Sequence, residues 1–143
     1  MTNKIFLNWE NLHADLKFLA QEISQRGSFS KIVAISRGGL VPAGILAYQL
    51  DIRHVITFNI SSYDKDKQHE LEMLEDPEKI EQIDEKTLIV DDMVDSGQTF
   101  TFLKKFFPKA TYVSVYAKQR GKSLADFYAK ELPDQWIVFP WDI

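Results

Sequence analysis

Within the run Asp91-Asp92-Met93-Val94-Asp95-Ser96-Gly97-Gln98-Thr99, three carboxyls, two hydroxyls and a glycine fall inside nine residues. Adjacent carboxylates suit ribose hydroxyls or a hard cation such as Mg²⁺, which takes oxygen ligands and bridges to substrate phosphates. The turn that follows offers backbone N–H groups and hydroxyls to one point. With the positive end of a helix behind it, such a turn makes a phosphate cradle. Gly97 allows close approach or a positive φ there. The plainer reading is that Asp95 and Ser96 cap a helix and that Asp91-Asp92 is a solvated strand end. The succession of strand, acidic pair, small-residue turn and helix favours the ligand site. A second cluster, Ser36-Arg37-Gly38-Gly39-Leu40-Val41-Pro42, sets one cation and two glycines where backbone donors can fold around an anion. Neither the G-x-x-x-x-G-K nor the G-x-G-x-x-G pattern occurs.

Both clusters need strands to aim them. Lys31 to Ser36 is a short apolar, β-branched run that reads as a buried strand ending at Arg37. Lys86 to Val90 reads the same way and ends at Asp91-Asp92. Further strands are predicted over Arg53–Ile60, Thr111–Ala117 and Trp136–Phe139. Between them, Trp9, Leu12, Leu16, Leu19 and Ile23 recur at helical spacing, with Asn8 placed to cap the helix and Gly27 to end it. Helices are also predicted from about Val41 to Leu50 and from Gly97 to Phe107, the latter stopped by Pro108. Strands alternating with helices imply a mainly parallel central sheet with helices on its faces, an α/β fold. In such sheets ligands bind beyond the carboxyl ends of the strands, where both clusters lie. Residues 61–85 are rich in Asp, Glu and Lys and are consistent with a loop, a hairpin or a short helix. A second polar loop is expected after Ala117.

At 143 residues the chain is long enough for one ordinary domain and too short for two. A net charge of −4 argues against a nucleic-acid or anionic-lipid partner. With no cysteine, disulfides, zinc–thiolate sites and thiol catalysis are excluded. No apolar run approaches a membrane span, and Met1–Asn8 lacks a secretory pattern, so the expected location is the cytoplasm.

The run Ile89 to Thr99 (IVDDMVDSGQT) resembles the phosphoribosylpyrophosphate-binding motif of type I phosphoribosyltransferases. VAISRGGLVP (Val33 to Pro42), IRHV (Ile52 to Val55), ISSYD (Ile60 to Asp64), Ala117-Lys118 and Pro140-Trp141-Asp142 resemble the bacterial xanthine-guanine members of that family. The resemblance implies a single domain over 1–143, with a flexible loop at about 61–85 and a small C-terminal hood at about 118–143. The implied reaction joins a 6-oxopurine (guanine, xanthine or hypoxanthine) to phosphoribosyl pyrophosphate with Mg²⁺, in purine salvage. Arg37 and Gly38, in a loop with a non-proline cis peptide, would hold the pyrophosphate. Asp91 and Asp92 would bind ribose and metal, with Asp92 the metal ligand. Asp95, facing N7 of the base, would accept its proton, and Asp95, Ser96, Gly97, Gln98 and Thr99 would hold the sugar phosphate. Lys118, Trp136 and Ile137 would bind the purine. His69 stands where relatives often carry a loop arginine. Relatives are dimers or tetramers, so a homo-oligomer is expected. The competing expectation is a non-catalytic regulator on the same fold that senses the sugar pyrophosphate or binds nucleic acid.

Overall fold

A computed structural model describes residues 3–65 and 68–143. In chain order the elements are β1 (Lys4–Phe6), α1 (Trp9–Arg26), β2 (Lys31–Ser36), α2 (Leu40–Gln49), β3 (His54–Lys65), β4 (Gln68–Met73), β5 (Thr87–Val94), α3 (Gln98–Lys104), β6 (Thr111–Ala117), β7 (Phe127–Glu131) and β8 (Trp136–Val138). Six strands form the central sheet in the order β4-β3-β2-β5-β6-β7. Every pairing in it is parallel except the β3–β4 hairpin.

The continuous apolar strands follow from burial on both faces. In β2, Ile32 and Ala34 point to one face and pack with Leu12, Leu16, Leu19, Ile23 and Leu46 of α1 and α2. Val33 and Ile35 point to the other and pack with Phe58, Phe100, Leu103 and Phe107. Helix α1 begins in a capping box: Asn8 Oδ1 accepts from Asn11 N at 2.7 Å, and Asn11 Oδ1 accepts from Asn8 N at 3.4 Å. No helix among the described residues is long and apolar enough to cross a membrane.

Three segments differ from the sequence expectation, and in a fourth, the acidic stretch, the hairpin among the expected alternatives is the one found. Strand β3 runs past Ile60 to Lys65 and folds back on β4, so much of the acidic stretch is a hairpin, with register Ile60 opposite Met73 and Ser62 opposite Leu71. Helix α3 ends at Lys104, three residues before Phe107, whose ring turns into the core. The polar stretch after Lys118 contains β7, an edge strand on β6, because Phe127 is buried beneath the Arg26 guanidinium. Finally, β1 pairs in parallel with β8, Lys4 opposite Trp136 and Phe6 opposite Val138. This small two-stranded sheet is joined to the body through aromatic rings. Trp141 stacks on Phe139 at 4.8 Å and lies 6.0 Å from Trp9, and Phe139 lies 6.1 Å from Tyr116. The Tyr116 hydroxyl donates to Asp15 Oδ2 at 2.5 Å. Burial first and Asp15 second push its pKa up, so the phenol stays a donor across the working pH range.

Candidate active site

The carboxyl ends of β2 and β5 lie side by side, and the turns leaving them define the site. After β2, the Ser36–Arg37 peptide is cis, in the loop where the resemblance implied one. Ser36 Oγ donates to Asn59 Oδ1 at 2.7 Å, and Asn59 Nδ2 donates to Glu75 Oε2 at 3.0 Å. The base of the hairpin is thereby tied to the first residue of the loop. The two glycines are sterically required. A Cβ on Gly38 would stand 2.6 Å from Asp92 Oδ2, and one on Gly39 would stand 2.3 Å from the Val90 carbonyl oxygen. The loop therefore sits directly against the acidic strand end, closer than any side chain allows.

After β5, residues Asp95 to Thr99 curl around a depression of about 140 Å³. Gly97 has φ 89°, a left-handed conformation, and a Cβ there would meet Leu124 Cδ1 at 2.0 Å. A second depression of about 330 Å³, between Gly38, Ser61 and Ser62, shares Asp91 and Thr99 with the first. A third, of about 950 Å³, opens between Arg37, Gly38 and Asp92 on one side and Trp136, Trp141 and Asp142 on the other. Three adjoining hollows thus meet at Asp91 and Asp92.

Each carboxyl of the Asp91–Asp92 pair accepts from the backbone N–H of the residue that follows it. Asp91 Oδ1 accepts from Asp92 N at 2.9 Å, and Asp92 Oδ1 accepts from Met93 N at 2.7 Å. No basic side chain pairs with either among the described residues. Burial, then the neighbouring Asp92 charge, pushes the Asp91 carboxyl well up; burial likewise raises Asp92. In the pH range between the ordinary aspartate value and the raised one, the folded chain keeps a proton that the unfolded chain has lost. Stability therefore falls as pH rises through that range. Asp91→Asn is expected to raise the melting temperature at about pH 8 by a few degrees and to flatten that decline, read by thermal unfolding across pH.

Among the described residues, no group of three or more His, Cys, Asp or Glu side chains could hold a metal ion. Two under-neutralised carboxylates beside open hollows do fit Mg²⁺ bound jointly with a substrate's phosphate oxygens, since this ion keeps waters and takes few protein ligands.

Asp95 has a different environment. Arg120 donates to Asp95 Oδ1 from Nε at 2.8 Å and also from Nη2. Lys118 Nζ stands 3.6 Å from Asp95 Oδ2 and 3.5 Å from Asp134 Oδ1, with its side chain almost fully buried. Trp136 is 64% exposed, its indole available at the edge of the large cleft. The Ile137 side chain is turned into the core, so only its backbone is available to a ligand. Arg37, Gly38, Asp92 and Trp136 border one cleft, and Asp95 to Thr99 form the neighbouring cradle. The side chain of His69 lies outside the described residues. Sequence reasoning missed Arg120, Asp134, Gly121 and the Asn59–Glu75 pair. Only Gly121 carried a signal, as a glycine in a polar loop four residues past the end of β6.

The model of the phosphoribosyl transferase domain family matches residues 3–143. Among solved structures, the xanthine-guanine-hypoxanthine phosphoribosyltransferase of Helicobacter pylori is 28% identical, with a TM-score of 0.82 over 99% of this chain and 95% of that one. A Neisseria gonorrhoeae hypothetical protein with bound ppGpp is 25% identical, with a TM-score of 0.85 over 100% of this chain and 91% of that one. The purine phosphoribosyltransferase of Pyrococcus horikoshii is 24% identical, with a TM-score of 0.83 over 98% and 94% of the two chains. With a match over nearly its whole length, and with the acidic strand end and the glycine loop in register beside each other, the chain belongs to the phosphoribosyl transferase domain family.

Proposed function

We propose that this chain transfers the 5-phosphoribosyl group of phosphoribosyl pyrophosphate to a 6-oxopurine in purine salvage, releasing pyrophosphate. One observation carries the choice of acceptor: Asp95 Oδ2 and Lys118 Nζ stand 3.6 Å apart at the site. An acceptor beside a donor-only cation matches the N7–H and O6 edge of a 6-oxopurine and opposes the 6-amino group of adenine. Asp95 accepts the N7 proton as the new bond to ribose C1 forms. Trp136 offers its indole face to the ring, and the Ile137 backbone meets the base edge. Ser96 to Thr99 hold the 5′-phosphate, Asp91 and Asp92 the ribose hydroxyls, and Arg37 and Gly38 the departing pyrophosphate. Bound at Asp92, Mg²⁺ would neutralise charge growing on that leaving group. The β3–β4 hairpin closes over the site and keeps water from the activated sugar.

The test is nucleotide formation from phosphoribosyl pyrophosphate against a panel of guanine, xanthine, hypoxanthine and adenine. Turnover of adenine alone, or of none, defeats the reading. A regulatory reading finds support in the Neisseria relative, whose ligand ppGpp joins a guanine ribonucleotide to pyrophosphate groups. Tight ppGpp binding without purine turnover would favour it. Lys118→Ala is expected to lower kcat/KM for 6-oxopurines by about 10- to 100-fold, the loss of one charged hydrogen bond, while leaving the adenine value unchanged. Steady-state kinetics on the same panel read this directly.

A further inference from the structure

We propose that Arg120 is a positioning residue that fixes the Asp95 carboxylate and leaves one of its oxygens open to the purine. The proposal rests on the function given above. Both guanidinium N–H groups that reach Asp95 end on the same atom, Oδ1. Among the described residues Oδ2 accepts no hydrogen bond, and Lys118 Nζ is 3.6 Å away. A carboxylate held this way cannot rotate freely, and it presents its free oxygen on the side of Lys118.

The hold is built into the backbone. Lys118 N donates to the Val94 carbonyl at 2.8 Å, and Gly121 N donates to the Lys118 carbonyl at 3.0 Å. A Cβ on Gly121 would stand 2.5 Å from both the Asp95 carbonyl oxygen and Val94 Cγ1. The turn bearing Arg120 is therefore pressed against the backbone of Asp95 itself. Stability does not account for the pair. Arg120 is 59% exposed and Asp95 43%, and ion pairs in that setting contribute little to folding. Orientation of a reacting group, by contrast, changes rate steeply with small displacements. Lys118 Nζ stands between Asp134 Oδ1 at 3.5 Å and Asp95 Oδ2 at 3.6 Å, so it approaches Asp95 only at the oxygen that Arg120 leaves open.

The experiment compares the full-length protein with Arg120→Ala and Arg120→Lys. R120A is expected to lower kcat with a 6-oxopurine by roughly 10- to 100-fold while leaving the dissociation constant for phosphoribosyl pyrophosphate, read by calorimetry, essentially unchanged. R120K recovers part of the loss, because one ammonium can still reach Oδ1. Three-bond NMR couplings should report one Asp95 χ1 rotamer in the unaltered protein and averaging in R120A. A kcat in R120A that is unchanged or higher overturns the proposal, and a higher one marks Arg120 as a mask over the base site. An unaltered rotamer distribution in R120A also overturns it. Should the unaltered protein form no nucleotide from any purine, the functional reading falls, and the rotamer measurement alone decides whether Arg120 fixes Asp95.

Discussion

Asp95→Asn is expected to lower kcat by about 10²–10⁴ while phosphoribosyl pyrophosphate still binds. The substitution keeps shape and removes charge. The amide oxygen can still accept from Arg120, which approaches one carboxylate oxygen only. The amide nitrogen then takes the place of Oδ2 beside Lys118 Nζ, 3.6 Å away. A donor now faces the purine N7–H, and no group remains to take the proton. Contacts to the sugar pyrophosphate come from Asp91, Asp92, the Ser96–Thr99 turn and the Ser36–Gly39 loop in this reading, and the substitution touches none of these side chains. The expected signature is thus a rate defect with sugar affinity retained, read by single-turnover kinetics beside calorimetry. A near-normal rate removes Asp95 from the role of proton acceptor. Equal losses in rate and sugar binding would instead indicate a collapsed cradle.

What was legible in the sequence follows from where burial leaves a pattern. Helix α1 was readable because Leu12, Leu16, Leu19 and Ile23 share one face and all are fully buried. Strands β2, β5 and β6 were readable as apolar runs because helices cover both faces of the sheet. The edge strand β7 was not: of Phe127–Glu131 only Phe127 is buried, so nothing alternates clearly. Nor was β1, three residues whose strand conformation comes from pairing with β8 more than 130 positions away. The hairpin was one of three open readings, since exposed residues on both arms carry no strong period. At the site, the two glycine-bearing turns were visible because close approach demands particular residue types. Gly38, Gly39 and Gly97 each lack room for a Cβ. Arg120, Asp134 and Glu75 were invisible for the opposite reason. Each is a charged residue in a polar stretch, and its role depends on a partner 16 or more positions away, as in Glu75 with Asn59 (16) and Arg120 with Asp95 (25).

That contrast makes Gly38 the most demanding test of the pyrophosphate loop. An alanine methyl would stand 2.6 Å from Asp92 Oδ2 and 2.8 Å from its Cγ, so one of the two partners must move. Asp92 resists, because its Oδ1 is held by Met93 N at 2.7 Å. The loop resists as well. Gly39 N donates to the Ile35 carbonyl at 2.8 Å, and Ser36 is bound through Asn59 to Glu75. Forcing them apart is expected to cost about 1–3 kcal/mol of stability, in line with overpacking elsewhere. The larger effect falls on activity: a displacement of this size should lower kcat/KM for phosphoribosyl pyrophosphate by about 10² or more, mainly through KM. Gly44→Ala is the matched control. It lies in α2, nothing stands within 4 Å of its added Cβ, and a helical alanine should stabilise by about 0.5–1 kcal/mol with activity unchanged. If Gly38→Ala lowers the melting temperature yet leaves the KM for the sugar where it was, the loop after β2 shapes the fold but does not hold the pyrophosphate. If it raises that KM while Gly44→Ala does not, close contact between loop and acidic strand end is what builds the site.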